Sequence, residues 1–593
     1  MERWPRLATR VSELRAMGRL APHAIRALRP SAPWNASRLL ARRAAREPAG
    51  ACLAYADRRW TFGELDREVD RTARAFQQAG IGPGDVVAIV MDSRPEFLLA
   101  VTALSRLRAI AALLNTNVTG RALTHAIGIG KPKLVLVGAE HAEKVREVLP
   151  SLEGIDAKQV FVQRDDGDAP DPDFADFDAC VAAAEGGPED VGPPRADECM
   201  CYIYTSGTTG LPKAAIIRNQ RWLLAGGLFG AAILELRAGD TVYVPLPLYH
   251  SNAIFAGWGA ALTTGACMAL RRRFSASGFW SDVVRFDATA FVYIGELCRY
   301  LLNQPEREEE RAHHLRVATG NGLRPDIWGR FQERFRVPLI REFYGATEGN
   351  APLVNLAGRP GMVGRLQAGQ AVVRCDLETG ELLRNAAGLC ERLGPGETGL
   401  LLGRINGVTA YDGYVDAEAT RKKLVDDALR PGDRWFNTGD LLTVHEHGWI
   451  SFADRVGDTF RWKGENVSTN EVAEILNGAP GVLESNVYGV RVPGSEGRAG
   501  MASLRVAEGF SLEAFNAFVL ERLPVYQRPY FLRLLRDEMR VTGTFKHQKN
   551  DYRREGYDPG AVADPLYFLD GERYVPLDAE LFEALRTGRV ALR

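Results

Sequence analysis

The strongest constraint on the fold is an alternation of strand-like and helix-like runs in the first third of the chain. Residues 86–91 are apolar at every position, which is typical of a parallel strand buried on both faces. Helical runs flank it at residues 60–78 and 95–107, and further strand-like runs follow at 133–137 and 160–162. Because parallel strands need crossover helices between them, this alternation predicts a doubly wound α/β layer.

A chain of 593 residues is too long for one hydrophobic core, so at least two domains are expected. The region near residues 360–445 is rich in strand-like runs. Beyond residue 456 the chain alternates again, with strands predicted at 485–492, 502–506 and 531–535 and helices near 470–477 and 511–522. The predicted fold class is therefore α/β, with a large N-terminal domain of doubly wound sheets, a β-rich subdomain and a small α+β C-terminal domain.

Charge and cysteine content exclude some classes of partner. Lys and Arg number 74 against 75 Asp and Glu, so no nucleic-acid partner is expected. The eight cysteines are scattered and none has the spacing of a zinc site. We interpret them as reduced thiols, which predicts a cytoplasmic protein.

The first 48 residues form a basic segment with eleven Arg against three Glu, a net charge of 11 − 3 = +8. Its apolar residues recur at near-helical spacing, but it lacks the uninterrupted apolar core of a signal peptide. The pattern fits a basic helix lying on the anionic inner face of a membrane. It fits equally a solvated arm, or one docked on the protein itself.

A loop of hydroxyls, glycines and one lysine lies between strand-like runs at residues 201–204 and 214–217. Glycine lets a backbone approach a ligand closely, and hydroxyl and backbone N–H groups are donors to phosphate oxygens. The glycines and lysine do not have Walker A spacing. We predict a phosphate-binding loop rather than a flexible surface turn, formed by Thr205, Ser206, Gly207, Thr208, Thr209, Gly210 and Lys213.

This loop resembles the phosphate loop of the adenylate-forming superfamily, which includes acyl- and aryl-CoA synthetases, peptide-synthetase adenylation domains and luciferases. Five motifs occur in the family's order, and the resemblance spans about residues 50 to 560. The runs at 291–305 and 320–325 resemble the long- and very-long-chain acyl-CoA synthetases, the branch that includes fatty acid transport proteins.

The resemblance implies an ATP site. Gly320, Asn321 and Gly322 would lie along the adenine. The run Tyr344-Gly345-Ala346-Thr347-Glu348 would supply an aromatic face for the base, a hydroxyl for the α-phosphate and, in Glu348, an oxygen ligand for Mg²⁺. Asp440, expected just after a strand, would accept the ribose hydroxyls, and Asp454-Arg455 would donate to the same ribose.

The resemblance also implies a fatty-acid site. Residues 241–270 contain no Asp, Glu, Lys or Arg, and we interpret them as a buried strand and helix lining a pocket rather than as a membrane span. In the family, an aromatic-His pair like Tyr249-His250 lies beside the acyl carboxylate. Glycine and alanine residues in the predicted helix 222–234 either border an apolar tunnel for a long chain or allow close helix packing.

The C-terminal motifs imply a mobile domain that carries a catalytic lysine. The run 541–546 resembles the family's Thr-x-x-Gly-Lys motif and makes Lys546 the candidate, with Lys549 close by as an alternative. Gly457 stands where many relatives have a hinge aspartate. The loop with Trp462 and Gly464 would face the pantetheine of coenzyme A.

The domain limits that we predict are a basic arm at 1–48, an adenylation domain for ATP and fatty acid at 49–456, and a mobile C-terminal domain at 457–593. The implied enzyme is a long-chain fatty acid–CoA ligase using ATP, Mg²⁺ and coenzyme A, with Lys546, Glu348, His250 and Thr205 as its catalytic residues. The alternatives are another adenylating enzyme, such as a peptide-synthetase module, and a fatty acid transporter that traps its cargo as the CoA ester. The oligomeric state is not predicted.

Overall fold

The computed structural model describes residues 15–16, 18–22, 29–165, 167–206, 211–407, 409–462, 465–493, 497–542, 547–590 and 592. Of Ser206 and Asn466 it describes the backbone alone. The predicted site residues Gly207, Thr208, Thr209, Gly210, Gly464 and Lys546 lie outside the described residues. The chain divides into two compact units, Met1–Leu323 with Arg330–Arg359 and Asn406–Leu424, and Arg324–Gly329 with Pro360–Ile405 and Val425–Arg593.

The first unit contains a sheet in which seven strands are described. Their spatial order is Ala175–Asp176, Val160–Gln163, Leu134–Gly138, Val86–Val90, Ile110–Leu113, Cys199–Ser206 and Pro212–Arg218. All neighbours are parallel except the last pair, which forms an antiparallel hairpin. Every residue of Val86–Val90 is buried, as the apolar run predicted. One of its faces packs on helices Gly120–Ile129 and Ala142–Val148.

A second sheet of the same unit has eight strands among the described residues. Their order is Leu353–Val354, Leu339–Tyr344, Val317–Asn321, Ala290–Ile294, Thr241–Val244, Cys267–Leu270, Ala51–Tyr55 and Arg58–Thr61. The six central strands are parallel and the two outer pairs are antiparallel. The carboxyl ends of parallel strands meet at one edge, where α/β proteins bind ligands. Two of the predicted ATP-binding runs, 320–322 and 344–348, lie at this edge.

The helices of the chain follow the predicted periodicity. Phe62–Gln78 begins with a capping box formed by Thr61 and Glu64, which fixes its first turn. The other described α-helices before residue 456 are Ala36–Arg46, Pro95–Arg106, Gly120–Ile129, Ala142–Val148, Phe177–Ala183, Asn219–Gly227, Ala260–Thr264, Phe279–Arg285, Gly295–Leu302, Pro325–Phe335 and Ala417–Arg421, with π-helical turns at Leu228–Ile233 and Ala253–Gly259. Directly before helix Phe177–Ala183, the short strand Ala175–Asp176 pairs with the edge of the first sheet.

The uncharged stretch 241–270 is a strand, a π-helical turn, a short helix and a strand, nearly all buried. None of the helices in the described ranges is long and apolar enough to cross a membrane. Small residues in the helical segment 219–233 let its backbone pack closely against the stretch 241–270. A Cβ on Gly226 would lie 2.7 Å from the Gly259 carbonyl oxygen, and one on Gly230 would lie 2.8 Å from that of Ala260. The structure therefore favours helix packing over a tunnel at these two glycines.

The second half of the basic arm is docked on the first unit. Helix Ala36–Arg46 is capped by Asn35, and Leu40 on its inner face is fully buried. Arg43 donates a hydrogen bond to the carbonyl of Thr263 at 2.7 Å. The self-docked alternative therefore holds for this helix, while residues 1–14, 17 and 23–28 lie outside the described part of the chain.

The second unit begins with the predicted β-rich portion. Its antiparallel sheet has the order Gly364–Arg365, Trp449–Arg455, Arg434–Val444, Thr398–Arg404 and Gln370–Val373, with Leu424–Asp426 also pairing with Arg434–Val444. Asp440 lies inside the longest of these strands rather than after a strand as expected. The strand continues because Gly439 takes a positive φ of 78° and lets pairing resume beyond it.

The remainder of the second unit is an α+β layer. A described hairpin pairs Phe460–Trp462 with Glu465–Val467. The main sheet has the order Val482–Val490, Ala499–Val506, Phe531–Leu534, Leu566–Asp570 and Arg573–Pro576, and the helices are Thr469–Asn477, Leu512–Arg522, Lys549–Glu555 and Ala579–Arg586. The predicted α/β class with a smaller α+β region is confirmed. The domain limits at 48/49 and 456/457 and the mobility of the C-terminal domain stay predictions.

Candidate active site

The predicted magnesium ligand Glu348 lies in a turn that follows strand Leu339–Tyr344. Its side chain is buried and accepts a hydrogen bond from the Tyr414 hydroxyl at 2.6 Å. Burial first, and the nearby Glu348 carboxylate second, raise the pKa of Tyr414 above its usual range. Tyr414 therefore stays protonated and keeps donating to Glu348.

The phosphate-loop hairpin is close to this turn. Thr205 and Lys213 face each other across its two strands. The Lys213 ammonium lies 5.7 Å from the centroid of the Tyr414 ring, and Ala215 of the hairpin forms a β-bridge with Tyr414. Tyr414 thus connects the described ends of the phosphate loop to Glu348.

Arg221 holds the turn from the other side, and sequence reasoning missed it. Its guanidinium donates to the carbonyls of Ala346 at 3.2 Å, Glu348 at 3.0 Å and Gly349 at 2.7 Å. The turn that presents Gly345, Ala346 and Thr347 is therefore tied to helix Asn219–Gly227. A single arginine beside the phosphate loop has no spacing signal that could have revealed these contacts.

The predicted adenine segment is fixed by Glu342, whose role was also missed. Its carboxylate accepts hydrogen bonds from the backbone N–H of Gly322 at 2.9 Å, from that of Leu323 at 3.1 Å and from the Tyr293 hydroxyl at 2.6 Å. Burial raises the pKa of Glu342 to about 8. A Cβ on Gly320 would lie 2.3 Å from the Tyr293 carbonyl oxygen, so only glycine fits there.

The segment that begins with Tyr249-His250 contacts both the Glu348 turn and the adenine segment. Ser251 Oγ lies 3.4 Å from Thr347 Oγ1, and Asn252 donates to Asn321 Oδ1 at 2.9 Å. His250 directly precedes Ser251 and Asn252 in the sequence and is partly exposed. The Tyr249 side chain is buried, which raises its pKa to about 12. The structure thus places His250, Asn321, Thr347 and, through Tyr414, Thr205 and Lys213 around one region of the first unit.

The predicted ribose residues lie in the second unit. Asp440 and Arg455 are opposite each other on neighbouring strands, with 3.4 Å between Asp440 Oδ1 and Arg455 Nε. The Arg455 side chain is half exposed and that of Asp440 is largely buried. Together they present one carboxylate and one guanidinium, the donor and acceptor set expected for a ribose.

Asp454 makes contacts within the second unit instead of facing Arg455. It is 1% exposed and accepts hydrogen bonds from the Thr469 N–H at 2.9 Å, the Thr469 hydroxyl at 2.8 Å and the Asn470 amide at 3.0 Å. Lys549 donates to the same Thr469 hydroxyl at 2.5 Å and lies 3.7 Å from Asp458. We call these contacts the Asp454 staple. In this arrangement the Asp454 carboxylate holds the start of helix Thr469–Asn477, and its binding to ribose stays a prediction.

Trp462 is likewise a core residue. Its side chain is 1% exposed and packs edge to face on Tyr530, with the ring centroids 5.3 Å apart. The indole does not line a surface that coenzyme A could reach. Contact of the surrounding loop with pantetheine stays a prediction, since Gly464 is outside the described residues.

A cluster of side chains that could ligate a metal is formed in the first unit by Asp92, Glu140 and His141. It is already neutralised by arginines. Asp92 accepts from Arg272 at 3.1 Å and from Arg273 at 3.0 Å, and its other oxygen pairs with His141 at 2.9 Å. Positive charge on both sides of the cluster disfavours a cation, so we interpret it as an ion network that joins the two sheets.

Comparisons with known proteins agree with this arrangement. The family model described as AMP-binding enzyme matches residues 40–415. The chain is 40% identical to the medium/long-chain-fatty-acid–CoA ligase FadD6 of Mycobacterium tuberculosis over 95% of this chain and 92% of that protein. It is 43% identical to long-chain fatty acid transport protein 1 of Mus musculus over 90% of this chain and 84% of that protein. Among solved structures, an anthranilate CoA ligase bound to anthranoyl-AMP has a TM-score of 0.77 at 22% identity, covering 89% of this chain and 98% of that chain, which shows a shared fold.

Proposed function

The chain belongs to the AMP-binding enzyme family, and from this premise we propose that it is a long-chain fatty acid–CoA ligase working through an acyl-AMP intermediate. One observation carries the proposal: the phosphate-loop hairpin, the adenine segment and the Glu348 turn are joined by side-chain contacts in one unit. The likeness to FadD6 and to a fatty acid transport protein over most of their lengths supports fatty acids as the substrate class.

In the first step, a carboxylate oxygen of the fatty acid attacks the α-phosphorus of ATP. The bond from this phosphorus to the bridging oxygen breaks, and pyrophosphate leaves. The obstacle is the approach of an anion to a polyanion, and Lys213 and Lys546 are the groups of this chain that reduce the repulsion. In this proposal His250 orients the acyl carboxylate, and Thr347 donates to the α-phosphate.

The residues around Glu348 suit Mg²⁺. A carboxylate is the hard oxygen ligand that this ion prefers, and Tyr414 fixes the orientation of one of its oxygens. When bound, Mg²⁺ supplies positive charge to the phosphate oxygens.

In the second step, the sulfur of coenzyme A attacks the acyl carbon, and the bond from this carbon to the AMP oxygen breaks. Lys546 has no charge to offset here, because pyrophosphate has already left. The hinge at Gly457 withdraws the lysine and admits the thiol.

The basic segment before Trp34 is the part of the chain that we propose to touch anionic lipid. It contains seven of the eleven arginines, one of which, Arg19, pairs with Glu235 at 2.5 Å, while helix Ala36–Arg46 is docked on the protein. A cytoplasmic enzyme held at the inner face of a membrane would meet its fatty acid there. Uptake by trapping the acid as its CoA ester, the second candidate function, would follow from the same reaction.

The test is thioester formation that depends on ATP and coenzyme A, measured over saturated acids of graded length. Lys546→Ala should abolish acyl-AMP formation yet keep thioester formation from supplied acyl-AMP, because the charge helps only while carboxylate and triphosphate repel each other. Lys549→Ala is the matched control and should keep adenylation, since Lys549 already bonds Thr469. Equal loss of both half-reactions in Lys546→Ala, or no thioester with any fatty acid, would contradict the proposal.

A further inference from the structure

Arg221 is a second side chain, besides Tyr414, that links the phosphate-loop hairpin to the turn carrying Thr347 and Glu348. It lies in the first turn of helix Asn219–Gly227, directly after strand Pro212–Arg218. From there its guanidinium reaches 127 residues along the chain to Glu348. Arg221 therefore ties the position of the Glu348 turn to that of the phosphate-loop hairpin.

The contacts require an arginine. Three carbonyls of the turn, those of Ala346, Glu348 and Gly349, receive hydrogen bonds from two guanidinium nitrogens. A planar fork of five N–H groups can serve several acceptors in one plane, whereas an ammonium group is a single point. The backbone bond from Gly349 N–H to the Ala346 carbonyl, 3.0 Å long, closes the turn itself. Arg221 adds the connection from the turn to the helix.

Charge gives Arg221 a second effect on the site. Burial is the largest influence on its pKa and lowers it, while Asp412 and Glu348 act in the opposite direction. The hydrogen bond to the Glu348 carbonyl, 3.0 Å long, keeps the guanidinium at the residue whose carboxylate must approach a polyphosphate. A neighbouring cation offsets part of the repulsion between this carboxylate and the nucleotide.

We propose that Arg221 is a positioning residue of the nucleotide site: it fixes the turn that presents Thr347 and Glu348 and compensates the charge of Glu348. The expected kinetic effects rest on the proposed function. The expected effect on the order of the turn does not, because it is measured without substrate.

Two variants separate the parts of this role. Arg221→Met removes all donors but keeps a long side chain, and Arg221→Lys keeps the charge but not the fork. Arg334→Met is the matched control, because Arg334 also donates to two carbonyls, those of Leu302 and Gln304, and to a carboxylate, Glu310. The control touches none of the candidate site residues.

The first readout is amide hydrogen exchange of the peptide covering residues 344–350 in the protein without ligands. Arg221→Met should speed exchange there by about tenfold or more, whereas Arg334→Met should leave this peptide unchanged. The second readout is kinetic. Loss of a fixed geometry should lower kcat/KM for ATP about 100-fold in Arg221→Met, with binding of AMP, measured by calorimetry in EDTA, changing less.

Arg221→Lys should recover part of kcat/KM but not the exchange protection. Unchanged exchange of residues 344–350 in a folded Arg221→Met protein would overturn the proposal. The proposal would also be overturned if Arg221→Met lost no more exchange protection and no more kcat/KM than Arg334→Met. If Arg221→Met does not fold, Arg221→Lys decides by the same exchange measurement. A wild-type protein without ligase activity would refute the proposed function and leave the exchange result to be judged separately.

Discussion

Gly226→Ala tests why the helix after the phosphate loop is rich in glycine. Gly226 faces Gly259 of the π-helical turn Ala253–Gly259. An added Cβ would lie 2.7 Å from the Gly259 carbonyl oxygen and 2.8 Å from its carbonyl carbon. Ordinary contacts are about 3.5 Å or longer, so the two backbones would have to separate by about half an ångström or more. Neither obstacle can rotate away, because both are main-chain atoms.

The magnitude follows from two opposing effects. Overpacking of this kind costs about 1–3 kcal/mol, and the upper part of that range applies where backbone must move. Replacing a helical glycine by alanine returns up to about 1 kcal/mol of helix propensity. We therefore expect Gly226→Ala to lower the free energy of unfolding by about 1–2 kcal/mol.

Gly128→Ala is the control. Gly128 lies in helix Gly120–Ile129 of the same unit, is exposed, and has no atom within 4 Å of an added Cβ. This variant should gain about 0.5–1 kcal/mol, so the two variants should shift thermal and urea unfolding in opposite directions. The chain-length profile of thioester formation should stay the same in both. Stabilisation by Gly226→Ala together with a preference for shorter acids would refute the packing argument and restore the tunnel.

Two further changes test the charge assignments. The folded protein holds a proton on Glu342, whose pKa is raised from 4.5 to about 8, so the contribution of this group to stability falls as pH rises from about 4.5 to 8. Between pH 5 and 8 the free energy of unfolding, measured with urea, should fall by about 3 kcal/mol more in the wild type than in Glu342→Gln. Parallel pH dependences of the two proteins would contradict the assignment. Deleting residues 1–28 should weaken sedimentation with anionic vesicles at low salt while turnover on short soluble acids is retained; binding that neither the deletion nor salt affects would exclude the arm as the lipid contact.

Local sequence patterns predict the fold better than they predict the contacts within the candidate site. The strand Val86–Val90 and the capped helix Phe62–Gln78 were predictable because apolar period and capping residues are properties of adjacent positions. Thr347 and Glu348 were found because their motif is contiguous. Arg221 and Glu342 were not, because their partners lie 127 and 20 residues away and are set by packing.

Asp440 and Asp454 illustrate a second limit. Both are carboxylates on neighbouring strands of one sheet, at positions that a motif marks in the same way. Side-chain direction separates them: Asp440 faces Arg455, and Asp454 faces the helix that begins at Thr469. Which way a strand residue points depends on register, and the positive φ of Gly439 changes the strand just before Asp440.

If the C-terminal domain rotates about Gly457 as we predict, the Asp454 staple would limit the population of the rotated form. Such a rotation would separate Asp454 from Thr469 and Asn470, so three hydrogen bonds to one carboxylate would be lost together. Bonds to a charged group are worth about 1.5–3 kcal/mol each, and a net loss of only about 3 kcal/mol holds the rotated form below about 1% of molecules. A ligand must therefore bind the rotated form preferentially to populate it. The order of the two half-reactions then becomes an equilibrium property, set by which nucleotide occupies the site.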